Sequence, residues 1–220
     1  MPDGWHPGTE LGPRLRRVRE ERGLSARELA RRVSCSASLI SQIERGLSAP
    51  SAGMLYALAT ELHASLDFLF GGPGGSEPVS GEQSGGEQSG RTAAAAGASP
   101  RTAGHAVVQR AAARQVIDLA SGVRWERLTP SADSRVDFLE VVYEPGGHST
   151  DTRRPLRHDG YEYGLVTSGR LQANVGFESY DLGPGDSIAF DSATPHEYWN
   201  TSDEQVRAVW VVVHAEPGRA

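Results

Sequence analysis

The segment that most constrains this chain is one that has no means of packing. From Gly71 to Gly104 the sequence reads GGPGGSEPVSGEQSGGEQSGRTAAAAGASPRTAG. It offers almost no large apolar side chain and partly repeats itself (SGEQ, then SGGEQSG). Such a stretch buries too little surface to offset the entropy of ordering it. The expectation is a flexible linker over residues 71–105 whose role is reach. The run Ala93 to Ala96 is too short to hold a helix by itself. Two folding units remain, residues 9–70 and 106–217, and they differ in kind.

The first unit shows helical spacing. Leu11, Leu15 and Val18 recur on one face, and Gly23 stops that helix. Ser25 and Glu28 form a capping-box pattern ahead of Leu29, Ala30 and Val33. Ser36 caps a third helix that turns Leu39, Ile40 and Ile43 inward, and Gly46 ends it. Pro50 and Ser51 open a fourth with Leu55, Leu58, Ala59 and Leu62 on one side, and Leu66, Leu69 and Phe70 suggest a short fifth. Helices two and three are three or four residues apart, as in a helix-turn-helix.

Charge sharpens this reading. The formal net charge is −6, which by itself argues against nucleic acid. Yet residues 11–45 hold nine arginines against four glutamates, so the positive charge is concentrated there. The chain contains no lysine, so where each arginine stands is informative and the choice of arginine is not.

The run GLSARELARRVSCSASLISQIERGLSAPSAGMLYALATEL, above all Ile40 to Gly46 followed by Pro50-Ser51, resembles the XRE (Cro and phage-repressor-like) DNA-binding domains. The resemblance implies a five-helix lambda-repressor-like fold bound to a double-stranded operator. The third helix would present Ala37, Ser38, Ser41 and Gln42 to base edges, where small or hydrogen-bonding side chains are needed. Arg17, Arg27 and Arg45 would meet phosphates. It also implies that Glu44 pairs with Arg19 inside the unit. One departure is Ala26, where the family often has glutamine, so Ala26 is assigned no contact.

From Gln115 onward the period moves toward two. Val136, Phe138, Glu140 and Val142 alternate with their neighbours, and Val206 to Val213 is rich in β-branched residues. Gly146-Gly147, Ser168-Gly169 and Pro184-Gly185-Asp186 punctuate such runs, as in a sandwich or jelly roll. His158, Glu162 and Gly169, then Gly185, His196 and Asn200, stand at the spacing of the two cupin motifs, and this half resembles the cupins. The implied fold is a jelly-roll β-barrel.

Two departures bear on its chemistry. Leu156 stands where many cupins have their first histidine, and Asp191-Ser192-Ala193 replaces a usual Pro-x-Gly. What remains is His158, Glu162 and His196, two imidazoles and a carboxylate. That set suits one divalent metal (Fe, Mn, Zn or Ni) with open positions, or else is the residue of a decayed site. Alternation places His196, Tyr198 and Asn200 on the interior face, so Leu156, Tyr198 and Asn200 are the expected pocket residues. It sets Tyr161 and Tyr163 opposite to Glu162.

The whole reads as a sequence-specific, DNA-binding transcription regulator, not an enzyme, whose cupin half senses a small-molecule effector and supports a homodimer. The alternative is a mononuclear non-haem iron oxidase resembling hydroxypropylphosphonate epoxidase, which joins the same two kinds of domain. No apolar run is long enough to span a bilayer, no export signal opens the chain, and Cys35 is alone, so a cytoplasmic location is expected.

Overall fold

The computed structural model describes residues 11–71 and 107–214, except 132, 134 and 151–154. The expected linker lies outside the described residues from residue 72 to 106. Five helices come first: α1 (Leu11–Glu21), α2 (Ala26–Arg32), α3 (Ala37–Glu44), α4 (Ala52–Leu62) and α5 (Leu66–Phe70). Nine strands follow: β1 (Val116–Leu119), β2 (Val123–Arg127), β3 (Val136–Tyr143), β4 (Tyr161–Ser168), β5 (Leu171–Val175), β6 (Glu178–Leu182), β7 (Ser187–Asp191), β8 (His196–Trp199) and β9 (Val206–Val213).

Three serines start three of the helices. Ser25, Ser36 and Ser51 sit in extended backbone, and each Oγ accepts from the amide three residues on, Glu28, Leu39 and Met54. Each satisfies a donor that the first helical turn cannot. The capping box at α2 closes on this side, but the Glu28 carboxylate accepts from Arg31 and Arg32 instead. Two charged partners one turn ahead outcompete a single backbone amide. Gly23 and Gly46 end α1 and α3 at φ +67° and +68°.

The helical core holds Leu15, Val18, Leu29, Ile40, Ile43, Leu55, Leu58 and Leu62, whereas Val33 and Leu39 are only half-buried at its margin. Arg19 is buried with it. Its Nη2 donates to Glu44 Oε2 at 2.9 Å, its Nε donates to the other carboxylate oxygen, and its Nη1 donates to the Leu24 carbonyl at 2.7 Å. The internal Arg19–Glu44 pair is therefore present. Gly12 lets α1 lie directly on the end of α3, for a Cβ there would stand 2.5 Å from the Ile43 carbonyl oxygen.

The strands form two antiparallel sheets. The larger has the order β1-β2-β3-β9-β4-β7 and the smaller β6-β5-β8. β9 pairs with both β3 and β4, although it comes last among the described strands. Trp125, Leu139, Val141, Leu171, Ala173, Tyr198, Ala208, Trp210 and Val212 fill the interior. Gly164 on β4 leaves room for the Trp210 ring, which would lie 1.8 Å from a Cβ. No helix among the described residues is long and apolar enough to cross a membrane.

Candidate functional site

On the helical unit the residues expected to meet DNA separate into distinct positions. Ser38, Gln42 and Arg45 are exposed along one stripe of α3, at helical spacing, while Ile40 and Ile43 face the core. Ser41 is half-buried beside them, and its carbonyl accepts from Arg45 Nε at 3.0 Å. Ala37 is half-buried and packs partly against the core, which leaves it a smaller outward face than its neighbours. Arg27 is exposed in the first turn of α2. Arg17 is exposed as well, with its Nε on Glu21 Oε1 at 2.7 Å. Much of the arginine charge is spent within the unit. Arg16 holds Glu20, Arg31 holds Glu28, and Arg32 bridges Glu28 and Glu61.

Inside the barrel, His158, Glu162 and His196 converge. Their nearest ligand atoms all lie within 4.8 Å of one another. β4 alternates exposed and buried, which turns Glu162 inward and leaves Tyr161 and Tyr163 outside. β8 turns His196 and Tyr198 inward by the same alternation. Leu156 is fixed beside them by a two-bond bridge, with Leu156 N on His196 O at 2.7 Å and His196 N on Leu156 O at 3.0 Å.

The proton positions follow from the carbonyls. His196 Nδ1 lies 2.9 Å from the Thr194 carbonyl and His158 Nδ1 lies 3.2 Å from that of Asp159. A carbonyl only accepts, so each Nδ1 carries a hydrogen and each Nε2 is turned inward. Both Nε2 atoms face one oxygen, Glu162 Oε1, at 2.8 and 3.2 Å. The other oxygen accepts from the Tyr198 hydroxyl at 3.0 Å. The His158 Nε2 approach is an ion-pair contact and not an aligned hydrogen bond.

Two Nε2 atoms this close to one carboxylate oxygen need positive charge between them. Protons on the rings would serve, as would a divalent cation. The donor set, its burial and the backbone carbonyls behind both rings fit a metal with ligand positions left open. Burial pushes the Glu162 carboxyl up, but the His158 and His196 imidazoles outweigh it and hold the group at about 2. The Tyr198 hydroxyl is raised well above its ordinary value, by burial first and then by Glu162, so it stays a donor.

Asn200 does not line this cavity. Its amide donates to the carbonyls of Tyr143, Glu144 and Glu204, and its Oδ1 accepts from the Ser202 amide and hydroxyl. Sharing a face with His196 and Tyr198 put it among the pocket residues, but it stands one residue past the end of β8 and fastens the following turn. Several lining residues were not expected from sequence, among them Trp125, Tyr143, Ser149 and Trp210 of the barrel, and two come from the other unit. Ala52 and Tyr56 of α4 line the cavity together with Leu156, Tyr198 and Trp210.

The fold and its two sites define the class: an XRE-like helix-turn-helix domain followed by a cupin domain. Comparison with known proteins agrees. Residues 10–67 match the model of the helix-turn-helix domain family and residues 139–212 that of the cupin domain family. The chain thus carries an XRE-like helix-turn-helix domain and a cupin domain in that order. It is 26% identical over 196 residues to the HTH-type transcriptional regulator PuuR of Escherichia coli strain K12, covering 89% of this chain and 90% of that one. The PuuR of Shigella flexneri matches to the same extent. A crystal structure of an HTH_3 family transcriptional regulator from Vibrio cholerae shares the fold, with TM-score 0.60 and 20% identity, over 94% of this chain and 97% of that one.

Proposed function

We propose that this chain is a cytoplasmic, sequence-specific transcription regulator whose barrel binds a small-molecule effector beside a divalent metal. The observation that carries the DNA half is the stripe Ser38, Gln42 and Arg45 on a capped α3 whose opposite side is buried. In this reading α3 enters the major groove, with Ser38, Ser41, Gln42 and the small Ala37 toward base edges. Arg45, Arg17 and Arg27 serve the phosphates, which requires Arg45 and Arg17 to leave their present partners Ser41 and Glu21.

One such helix reads few base pairs, so two copies are needed, spaced about one helical turn apart. The outer face of the large sheet supports a homodimer. Register places Val136, Val213 and Tyr161 in one cross-strand row, Phe138, Val211 and Tyr163 in the next, and Glu140, Val209 and Leu165 in a third. Phe138, Tyr161, Tyr163, Leu165 and Val213 are all at least 36% exposed, an apolar patch of the kind that marks an interface.

His158, Glu162 and His196 would hold the metal, Fe, Mn, Zn or Ni, leaving positions for an effector or water. Leu156 and Tyr198 would form part of the wall. The donors alone also suit a non-haem iron oxidase, but the relatives matched along the chain's length are named transcription regulators, and α2 and α3 both keep their serine N-caps. Selection from a random pool of DNA duplexes tests the reading. A discrete, recurring motif is the expected result, and recovery of no motif from the full chain refutes it.

A further inference from the structure

The barrel's mouth is closed by the DNA-binding unit itself. The Tyr56 ring of α4 lies flat on the His158 imidazole, with centroids 4.3 Å apart and planes 5° from parallel. It also meets Trp125 in an edge-to-face arrangement, with centroids 5.2 Å apart. The start of α4 is tied to the barrel by two backbone hydrogen bonds. Gly53 N donates to Ser149 O at 3.2 Å and Ala120 N donates to Pro50 O at 2.9 Å. Leu156 presses so closely that a Cβ on Gly53 would stand 2.3 Å from its Cδ2. The residue in the place of a cupin histidine is therefore a docking contact for α4.

With Tyr56 in place the cavity measures only about 20 Å³. A metal ion or one water fits such a space, whereas sites for organic ligands run to roughly 300–1,000 Å³. The His158 side chain is left 5% exposed.

We propose that Tyr56 is the lid of the cupin site, so that an organic effector occupies the barrel only when α4 has lifted away from it. The proposal rests on the reading that the barrel holds an effector, and it names the coupling. A ligand shifts an equilibrium only through its preference for one state, and here the lifted state alone has room for it. By reciprocity, whatever holds α4 in its docked place weakens effector binding.

Carbethoxylation of histidine by diethyl pyrocarbonate, read by peptide mass spectrometry on the full chain after metal chelation, tests this. His63 is exposed and serves as the reactive reference, and His196, 1% exposed, reports the barrel's integrity. In the wild type, His158 should react at least tenfold more slowly than His63. Tyr56→Ala and Gly53→Gln, the second a neutral helix-compatible change that leaves every cavity side chain intact, should each raise that rate tenfold or more while His196 stays protected. Tyr56→Phe keeps the ring and should behave as wild type. His158 as slow in both opened variants as in the wild type, or exposed only together with His196, overturns the lid. That outcome leaves the regulator reading untouched, since a recovered DNA motif decides that separately.

Discussion

Replacing Glu44 by glutamine is the sharpest test of how the DNA-binding unit is held together. Arg19 and Glu44 are buried side by side, with side-chain exposures of 10% and 8%. The guanidinium also donates to the Leu24 carbonyl, so one side chain fastens the end of α1, the turn before α2 and the end of α3. Glu44→Gln keeps the volume but removes the charge and one acceptor oxygen of a bidentate pair, leaving a buried cation without its counter-ion. Breaking a buried pair in this way costs about 3–5 kcal/mol. For a unit of this size each kcal/mol moves the midpoint by roughly 4–8 °C, so a shift of at least ~12 °C is expected. Thermal unfolding followed at 222 nm reports this unit, because all the α-helices among the described residues lie in it. The exposed pair Arg16–Glu20, at 59% and 52%, is the control, and Arg16→Ala should cost less than about 1 kcal/mol. The double change Arg19→Met with Glu44→Leu should recover most of the loss, since apolar side chains of like volume replace a buried pair at little cost. A Glu44→Gln loss no larger than the Arg16→Ala loss would refute the argument.

Other perturbations probe the remaining contacts. Gln42→Ala should relax sequence preference in a DNA selection, whereas Arg45→Ala should weaken all duplexes alike and flatten the salt dependence by about one charge. Tyr163→Arg should make the protein monomeric by sedimentation at concentrations where the wild type is dimeric, because it sets a charge at the centre of the apolar rows. Glu162→Gln should lower Mn(II) or Zn(II) affinity at least tenfold by calorimetry, and equal affinity in the two proteins would show that the cluster is not the metal site. In the metal-free protein the folded Glu162 value, about 2, lies below the ordinary 4.5. Its contribution to stability is therefore complete above pH 4.5 and is lost as pH falls toward 2, and Glu162→Gln should remove that part of the acid transition.

What the sequence displays is what short-range chemistry decides. Serines at 25, 36 and 51 cap helices because the partner amide is three residues away. Glu162 and His196 turn inward because strand alternation has no freedom. Competition among neighbours was harder to read, since Glu28 had both a cap and two arginines within reach. Asn200 was misplaced for a related reason: its face was right, but the polar groups of the next turn claimed its amide. Tyr56 was invisible. On α4 it sits between Leu55 and Leu58, and nothing local says that it meets a histidine a hundred residues further on. Leu156 read as a missing ligand, and only the position of Gly53 shows what it does instead.

The strand order has a consequence for the chain as it leaves the ribosome. The five helices precede every described strand, so the helical unit is complete before the sheets begin. The large sheet is different, because its middle position between β3 and β4 belongs to Val206–Val213. Until that strand emerges, β3 and β4 each keep one bare edge of unpaired amides and carbonyls, the template on which chains aggregate. Translation that stalls before Val206 would thus leave a formed DNA-binding unit attached to a sticky half-sheet, so the burden of quality control falls on Val206–Val213, the last of the described strands.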